Sequence, residues 1–260
     1  MKRILLYSII ILSVAGCASR ANIDNSLKQY FDEYKTDGTF AMFNNANGRL
    51  TVYNLTLDTT RFLPAETFDI VTALAGLETG KISSDTMSIM ISESKVDFMQ
   101  AMKFNNAGYF SEISRRMGKD TLAVILDSLN YGNKNIGSVV DSFWNNNTLK
   151  VSNDEQLGFM KKLYFDQLPF RKSVLQQVKN AMVQEANTAY KLCYKTGAAK
   201  DEAQQIIART SGWLEQGNHI YFFSCLTKNQ NNSADPKADV ENISKKILAH
   251  LGVPEKTAAK

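Results

Sequence analysis

Histidine is nearly missing from this chain. The two in 260 residues, His219 and His250, lie in separate segments, and neither has a second histidine or a cysteine at metal-ligand spacing. Zinc sites and imidazole-based metal chemistry therefore have no ligand set to draw on. No glycine-rich run leads into Lys-Ser or Lys-Thr, so a phosphate-cradling loop is not expected. An excess of one charge is also lacking. The formal charge is +4, and setting aside Lys2 and Arg3 leaves 28 basic against 26 acidic residues, so nothing points to nucleic acid. What the chain does have is a composition 44% hydrophobic with few prolines, enough for one large domain or two small ones with a sizeable core.

The first residues are set apart. Met1-Lys2-Arg3 precedes the apolar run Ile4-Leu5-Leu6-Tyr7-Ser8-Ile9-Ile10-Ile11-Leu12, the charged start and short apolar stretch of an export signal, too short to span a bilayer comfortably. Ser13-Val14-Ala15-Gly16-Cys17-Ala18 then resembles a bacterial lipobox, which implies cleavage before Cys17 and lipidation of its thiol. The expected organisation is a signal peptide over 1–16, a tether over 17–23 and one domain over 24–260. Ala18 after the cysteine resembles outer-membrane sorting in a Gram-negative cell, with the domain in the periplasm. In that compartment Cys193 and Cys225 could form a disulfide, but both sit in apolar strand-like runs where buried thiols are the simpler expectation.

Periodicity predicts a helix over 21–37, with Leu27, Tyr30, Phe31 and Tyr34 on one face, then a hairpin of strands 38–44 and 50–55 turning at Asn47-Gly48. Residues 81–96 show little periodicity. Helices are expected over 97–104, 109–117 and 121–129, the last two divided at Gly118, and over 151–164 behind a capping Ser152. A long helix is expected over 171–187 with Val174, Val178, Met182 and Val183 facing inward. Strands follow over 189–197, 210–215 and 220–225, and a C-terminal helix over 240–251.

The centre of the chain is Phe62-Leu63-Pro64-Ala65-Glu66-Thr67-Phe68-Asp69-Ile70, running into an apolar helix that stops at Gly80. Downstream stand Tyr131-Gly132-Asn133, Val140-Asp141-Ser142-Phe143-Trp144 and Lys195-Thr196-Gly197, followed by a Gly212-Trp213 hairpin. Each is weak alone, since Tyr-Gly-Asn is ordinary turn chemistry and Lys-Thr-Gly recurs by chance. In this order they resemble the class D (oxacillinase-type) serine β-lactamases of the penicillin-recognising family. The resemblance covers roughly residues 24–250 and implies a mixed α/β fold, an antiparallel sheet flanked by helices with an all-helical subdomain, and no cofactor.

The resemblance also marks departures. Where the family has its acylating serine this chain has Glu66, and where it has the lysine that becomes carbamylated and acts as base it has Asp69. Asn105 and Ala107 stand at the family's second motif, Ser-x-Val, and Val240 stands where many relatives have an arginine for the substrate carboxylate. Tyr131, Asn133, Trp144, Lys195, Thr196 and Gly197 match. By that correspondence Trp144 is expected to donate its indole N–H to Asp69, and Lys195 to pair with Glu66. Nucleophilic catalysis needs a nucleophile beside a base, and neither central residue supplies it. Thr67 is turned about 100° from Glu66 on a helix. The leading expectation is a non-catalytic envelope lipoprotein that binds a peptidoglycan fragment or an envelope protein, held to the membrane through Cys17. The alternatives are a divergent hydrolase using Glu66 and Asp69 as acid and base, and a weak binder of β-lactams that does not hydrolyse them. Against the hydrolase stands the ordinary preference for acidic residues in a first helical turn.

Overall fold

The computed structural model describes residues 21–229 and 233–254. The signal-peptide and Cys17 readings lie outside them. A sheet of seven strands runs through the centre: β1 (Asn22–Ile23), β2 (Asp37–Asn44), β3 (Arg49–Tyr53), β6 (Val183–Ala186), β7 (Lys191–Lys200), β8 (Ile206–Gln216) and β9 (His219–Asn229), in the order β1-β3-β2-β9-β8-β7-β6. A separate hairpin joins β4 (Ser88–Ile91) and β5 (Ser94–Asp97). All pairings are antiparallel except β1 with β3. The helices are α1 (Lys28–Glu33), α2 (Leu55–Thr59), α3 (Asp69–Glu78), α4 (Phe98–Phe104), α5 (Ala107–Leu129), α6 (Asn153–Tyr164), α7 (Lys172–Ala181) and α8 (Pro236–His250). This is the mixed α/β architecture expected from the sequence.

Alternation along the central strands divides the interior. In β9, Tyr221, Phe223 and Cys225 face one side, packed with Phe31 and with Val240, Ile243 and Ile247 of α8. Phe222 faces the other, in a larger core with α3, α5, α6 and α7. Helix α3 is buried along its length, from Asp69 to Leu77, and ends at Thr79 with Gly80 at φ 71°, the left-handed turn that glycine adopts without strain. No helix among the described residues is long and apolar enough to cross a membrane. Cys193 and Cys225 are both buried free thiols, each pushed by burial up to about 12.

Several boundaries differ from expectation. The sheet begins at Asn22, inside the stretch read as tether, because β1 adds to the edge of β3. Residues 81–96 contain β4 and most of β5. Helix α7 stops at Ala181, and Val183–Ala186 pairs with β7 instead of continuing the helix. A run such as Val178, Met182, Val183 fits either period, and here the free edge of β7 decides. Helix α5 carries its break at Gly118 (φ 77°, ψ 165°), as the two-helix reading required. Helix α8 starts four residues before Val240, at Pro236, with Asp235 accepting from the Ala238 amide.

Helix α6 is docked on the sheet by buried polar groups. Ser152 and Glu155 make a reciprocal capping box. Asn153 donates its amide to Asp58 (2.8 Å) and accepts from the Ser224 hydroxyl (2.6 Å), which lies 2.7 Å from that of Ser211. Burial lifts the Asp58 carboxyl to about 6, and the Asn153 hydrogen bond opposes that rise.

Candidate active-site cleft

The turn that carries Glu66 is held from several directions. Phe62 exchanges backbone hydrogen bonds with Val151 (3.1 and 2.8 Å), and the Ala65 amide donates to the Trp144 carbonyl (3.1 Å). Ala65 adopts φ 50°, a left-handed conformation costing a non-glycine residue of order 1 kcal/mol or more. The Thr67 hydroxyl donates to the Pro64 carbonyl (2.6 Å) and accepts from Gln156 (3.1 Å), whose side-chain oxygen accepts from the Tyr131 hydroxyl (2.9 Å). Phe68 fills the space below, stacked on Trp144 and edge-on to Phe143 and Tyr131. Thr67 is thus committed to the core, and Glu66 is the side chain turned toward β7.

Two carboxylates and two ammonium groups meet there. Glu66 Oε2 accepts from the Ala198 backbone amide (2.7 Å), and Oε1 lies 2.7 Å from Lys237 Nζ. Asp69 Oδ2 lies 3.1 Å from Lys195 Nζ, and these side chains are 1% and 2% exposed. The expected Lys195–Glu66 pair is therefore corrected: Lys195 goes to Asp69, and Glu66 is taken by a lysine 171 residues away. Lys195 also donates to the Met102 carbonyl (2.8 Å) and lies 5.5 Å from the centre of the Phe110 ring. The ammonium is off the hydrogen-bonding angle to Oδ2, which has no well-angled donor.

The electrostatics follow from this sealing. Burial pushes the Asp69 carboxyl up to about 7, against the pull of Lys195, and the nearby Glu66 charge adds to the rise. Burial pulls the Lys195 ammonium down, against the pull of Asp69. Both shifts favour neutral partners, so desolvation rather than attraction dominates this pair.

The other expected cleft residues separate into two groups. Thr196 and Gly197 are on β7 beside the charge cluster. The Thr196 hydroxyl reaches that of Thr210 (3.2 Å), and a Cβ on Gly197 would stand 2.4 Å from the Glu66 nitrogen and 2.9 Å from Oε2. Only glycine allows that approach. Asn105 ends α4 at φ 53°, with its Oδ1 buried and without a hydrogen bond.

Four positions do not face the cluster as expected. Trp144 is buried, but among the described residues its indole makes no hydrogen bond to Asp69, and it packs flat on Phe68 instead. Ala107 is exposed at the start of α5 and covers nothing, the Lys195–Asp69 pair being closed by Met102 and Phe110. Asn133 is exposed and staples a loop, accepting from the Lys150 amide (3.0 Å) and donating to the Thr148 carbonyl (2.9 Å). Val240 is fully buried under the sheet in the α8 core, because the helix starts one turn earlier than expected.

Lys237 is the residue that sequence reasoning missed. Asp235-Pro236 is an N-cap followed by proline at the first helical position, a start signal that places Lys237 at the mouth of α8. Arg209 was missed as well. It is fully buried on β8, donates through Nη1 to the carbonyls of Val151, Leu63 and Phe62, and leaves Nε and Nη2 without partners. Burial pulls it down to about 10. Its bonds brace the backbone on either side of the Phe62–Val151 bridge, and no sequence pattern announces it.

Residues 32–249 match the penicillin binding protein transpeptidase domain. Over 265 residues the chain is 29% identical to β-lactamase OXA-5 of Pseudomonas aeruginosa, covering 97% of this chain and 98% of that one. The solved class D β-lactamase FUS-1 (OXA-85) from Fusobacterium nucleatum subsp. polymorphum superposes with a TM-score of 0.83 at 28% identity, over 89% of this chain and 99% of its own. The C-terminal domain of the Bacillus licheniformis BlaR penicillin-receptor does so with a TM-score of 0.85 at 26% identity, over 91% and 98%. Fold, motif order and these matches agree: the chain belongs to the class D β-lactamase and penicillin-binding transpeptidase family.

Proposed function

We propose that this chain is a non-catalytic member of its family, an envelope lipoprotein anchored at Cys17 that uses the cleft between β7 and the start of α8 to bind a cell-wall fragment or an envelope protein. The observation that carries this reading is the position of the Glu66 carboxylate. It occupies the place that the resemblance gives to the acylating serine, and both of its oxygens are engaged, by Ala198 and Lys237. A hydrogen-bonded, ion-paired carboxylate is a poor nucleophile, and Asp69, closed in by Lys195, has no open path to act as base. Thr67 offers no substitute, because its hydroxyl is tied to Pro64 and Gln156.

Incubating the protein with a penicillin for hours and measuring its intact mass should show the unmodified chain. A stoichiometric adduct mapped to Glu66, Thr67 or a neighbouring hydroxyl would overturn the non-catalytic reading. The anchor is tested separately: Cys17→Ser should move the protein from the detergent phase to the soluble periplasmic fraction, and an unmodified N-terminus on the wild-type protein would refute it.

One observation favours the hydrolase alternative. Asp69, lifted to about 7 by burial, lies in the range where a carboxyl can act as a general acid. Its burial at 1% argues the other way, since a proton relay must reach a substrate. The likeness to the BlaR penicillin-receptor domain supports the third reading, β-lactam binding without turnover.

A further inference from the structure

We propose that the Ala198 amide and the Lys237 ammonium form a carboxylate-binding subsite whose present occupant is the chain's own Glu66. The inference rests on the binding function above and adds the chemical class of ligand: an anion whose carboxylate takes the place of the Glu66 side chain.

The geometry is that of a receptor around a ligand group. Each Glu66 oxygen has its own donor at 2.7 Å, one a backbone N–H and the other a side-chain cation. The backbone half is rigid, because Ala198 lies within the ten-residue ladder between β7 and β8. It comes within reach only because position 197 is glycine, where a Cβ would strike both the Glu66 nitrogen and Oε2. The Glu66 backbone is equally fixed, between the left-handed Ala65 and the core-bound Thr67. Lys195 cannot act as a second cation here, being committed to Asp69 and the Met102 carbonyl.

The cradle has an inner and an outer side. The Glu66 side chain is 11% exposed and that of Lys237 is 33%, so the cation is the edge that opens to solvent. Swinging Lys237 outward admits an external carboxylate, and the incoming anion replaces the outgoing one against the same two donors. That exchange buries no additional charge, which is what makes it feasible in a partly desolvated site. A carboxylate attached to the floor competes at an effective concentration on the order of millimolar or above. Wild-type protein should therefore resist small free carboxylates, and a real ligand must bring further contacts along β7 to displace Glu66. The device is an internal competitor built into the binding site.

The test uses acetate as the probe, in the full mature chain, with chloride and acetamide at matched concentration and ionic strength. Glu66→Ala empties the cradle and keeps both donors. Its thermal midpoint should rise saturably with acetate, with no comparable rise for chloride or the uncharged acetamide, and its acetate affinity should exceed that of wild type at least tenfold. The Ala198 amide resonance should move during the titration toward its wild-type position. Adding Lys237→Ala to Glu66→Ala should abolish the response. If Glu66→Ala does not fold by itself, acetate should restore the folded signal. Failure of acetate to bind the folded variant or to restore an unfolded one overturns the subsite, as does an equal response to chloride or an equal response of wild type. These outcomes are independent of the penicillin experiment: an adduct on the wild-type chain would remove the non-catalytic reading and leave the acetate result standing, whereas acetate failure without an adduct removes the subsite alone.

Discussion

Lys195→Ala should destabilise the fold by about 3–5 kcal/mol at pH 9, where the wild-type Asp69 carboxyl is ionised, because it leaves an acid with 1% exposure in the interior without its cation. The effect should be strongly conditional. Asp69→Leu together with Lys195→Met replaces the pair by apolar groups of similar length, which removes the desolvation cost along with the attraction. Such a variant is expected to lie close to wild type in stability. A double-mutant cycle by urea unfolding would therefore give a large interaction energy, and additive single effects would argue against the contact.

The pH dependence has a definite sign. The unfolded Asp69 carboxyl titrates near 3.8 and the folded one near 7. The native state thus holds more protons than the unfolded chain between those values, and the stability this confers is lost as pH rises through 7. Removing Lys195 raises the folded value further. At pH 5 the carboxyl is protonated and neutral with or without Lys195, so the cost of Lys195→Ala should shrink markedly relative to pH 9. A cost that stayed constant between pH 5 and pH 9 would mean that the loss comes from the Met102 hydrogen bond and packing rather than from charge.

The second large effect is an absence of rescue. Glu66→Ser with Asp69→Lys introduces the two residues that the resemblance assigns to these positions, yet nitrocefin turnover should remain at least about 10³-fold below that of an active relative, since loss of a single positioned group commonly costs 10²–10³. The new lysine would enter a sealed space already holding the Lys195 ammonium, with the Met102 carbonyl as acceptor and the carboxylate gone. Asn105 has no hydroxyl to carry a proton, and its buried oxygen is already without a donor. Adding Asn105→Ser should raise turnover more in the double variant than alone, because such groups act as a unit. Two other changes suggested by alignment should not help. Ala107→Val adds bulk at an exposed helix start, and Val240→Arg forces a charge into the α8 core, where unfolding rather than substrate binding is the expected result. Turnover by the double variant at a rate typical of its relatives would show that only the two central residues had been switched off.

Much of the fold could be read from residues. The Phe62–Ile70 segment, Gly80, Gly118, the Ser152 capping box and the Lys195-Thr196-Gly197 strand each carry local chemistry that survives in the structure. What was misread had competing local solutions. Val183 fits a helix or a strand, and the β4–β5 turn has Ser92 at φ 54° where a sequence reader looks for Asn-Gly or a glycine. The charge pairing could not be read at all. Glu66 and Asp69 are three residues apart, but which lysine each one meets depends on how β7 and the start of α8 come together, and the two lysines are separated by 42 positions in the chain. An error of one turn in placing α8 exchanged Lys237 for Val240 and changed the apparent chemistry of the cleft rim.

Strand β1 also sets a leash length. Asn22 is already paired into the sheet, so the anchor proposed at Cys17 would stand five peptide steps away, a distance of at most about 18 Å for any chain conformation. From β1 the sheet runs through β3, β2, β9 and β8 to β7, five strand spacings of roughly 4.8 Å, or about 24 Å across. Under the anchor proposed above, the domain would hang by this far edge, with Tyr194, the β7 residue in register with Asn22, no more than about 42 Å from the bilayer surface. Its working volume would then be a thin shell over the membrane, which a ligand of the proposed kind would have to enter to be met.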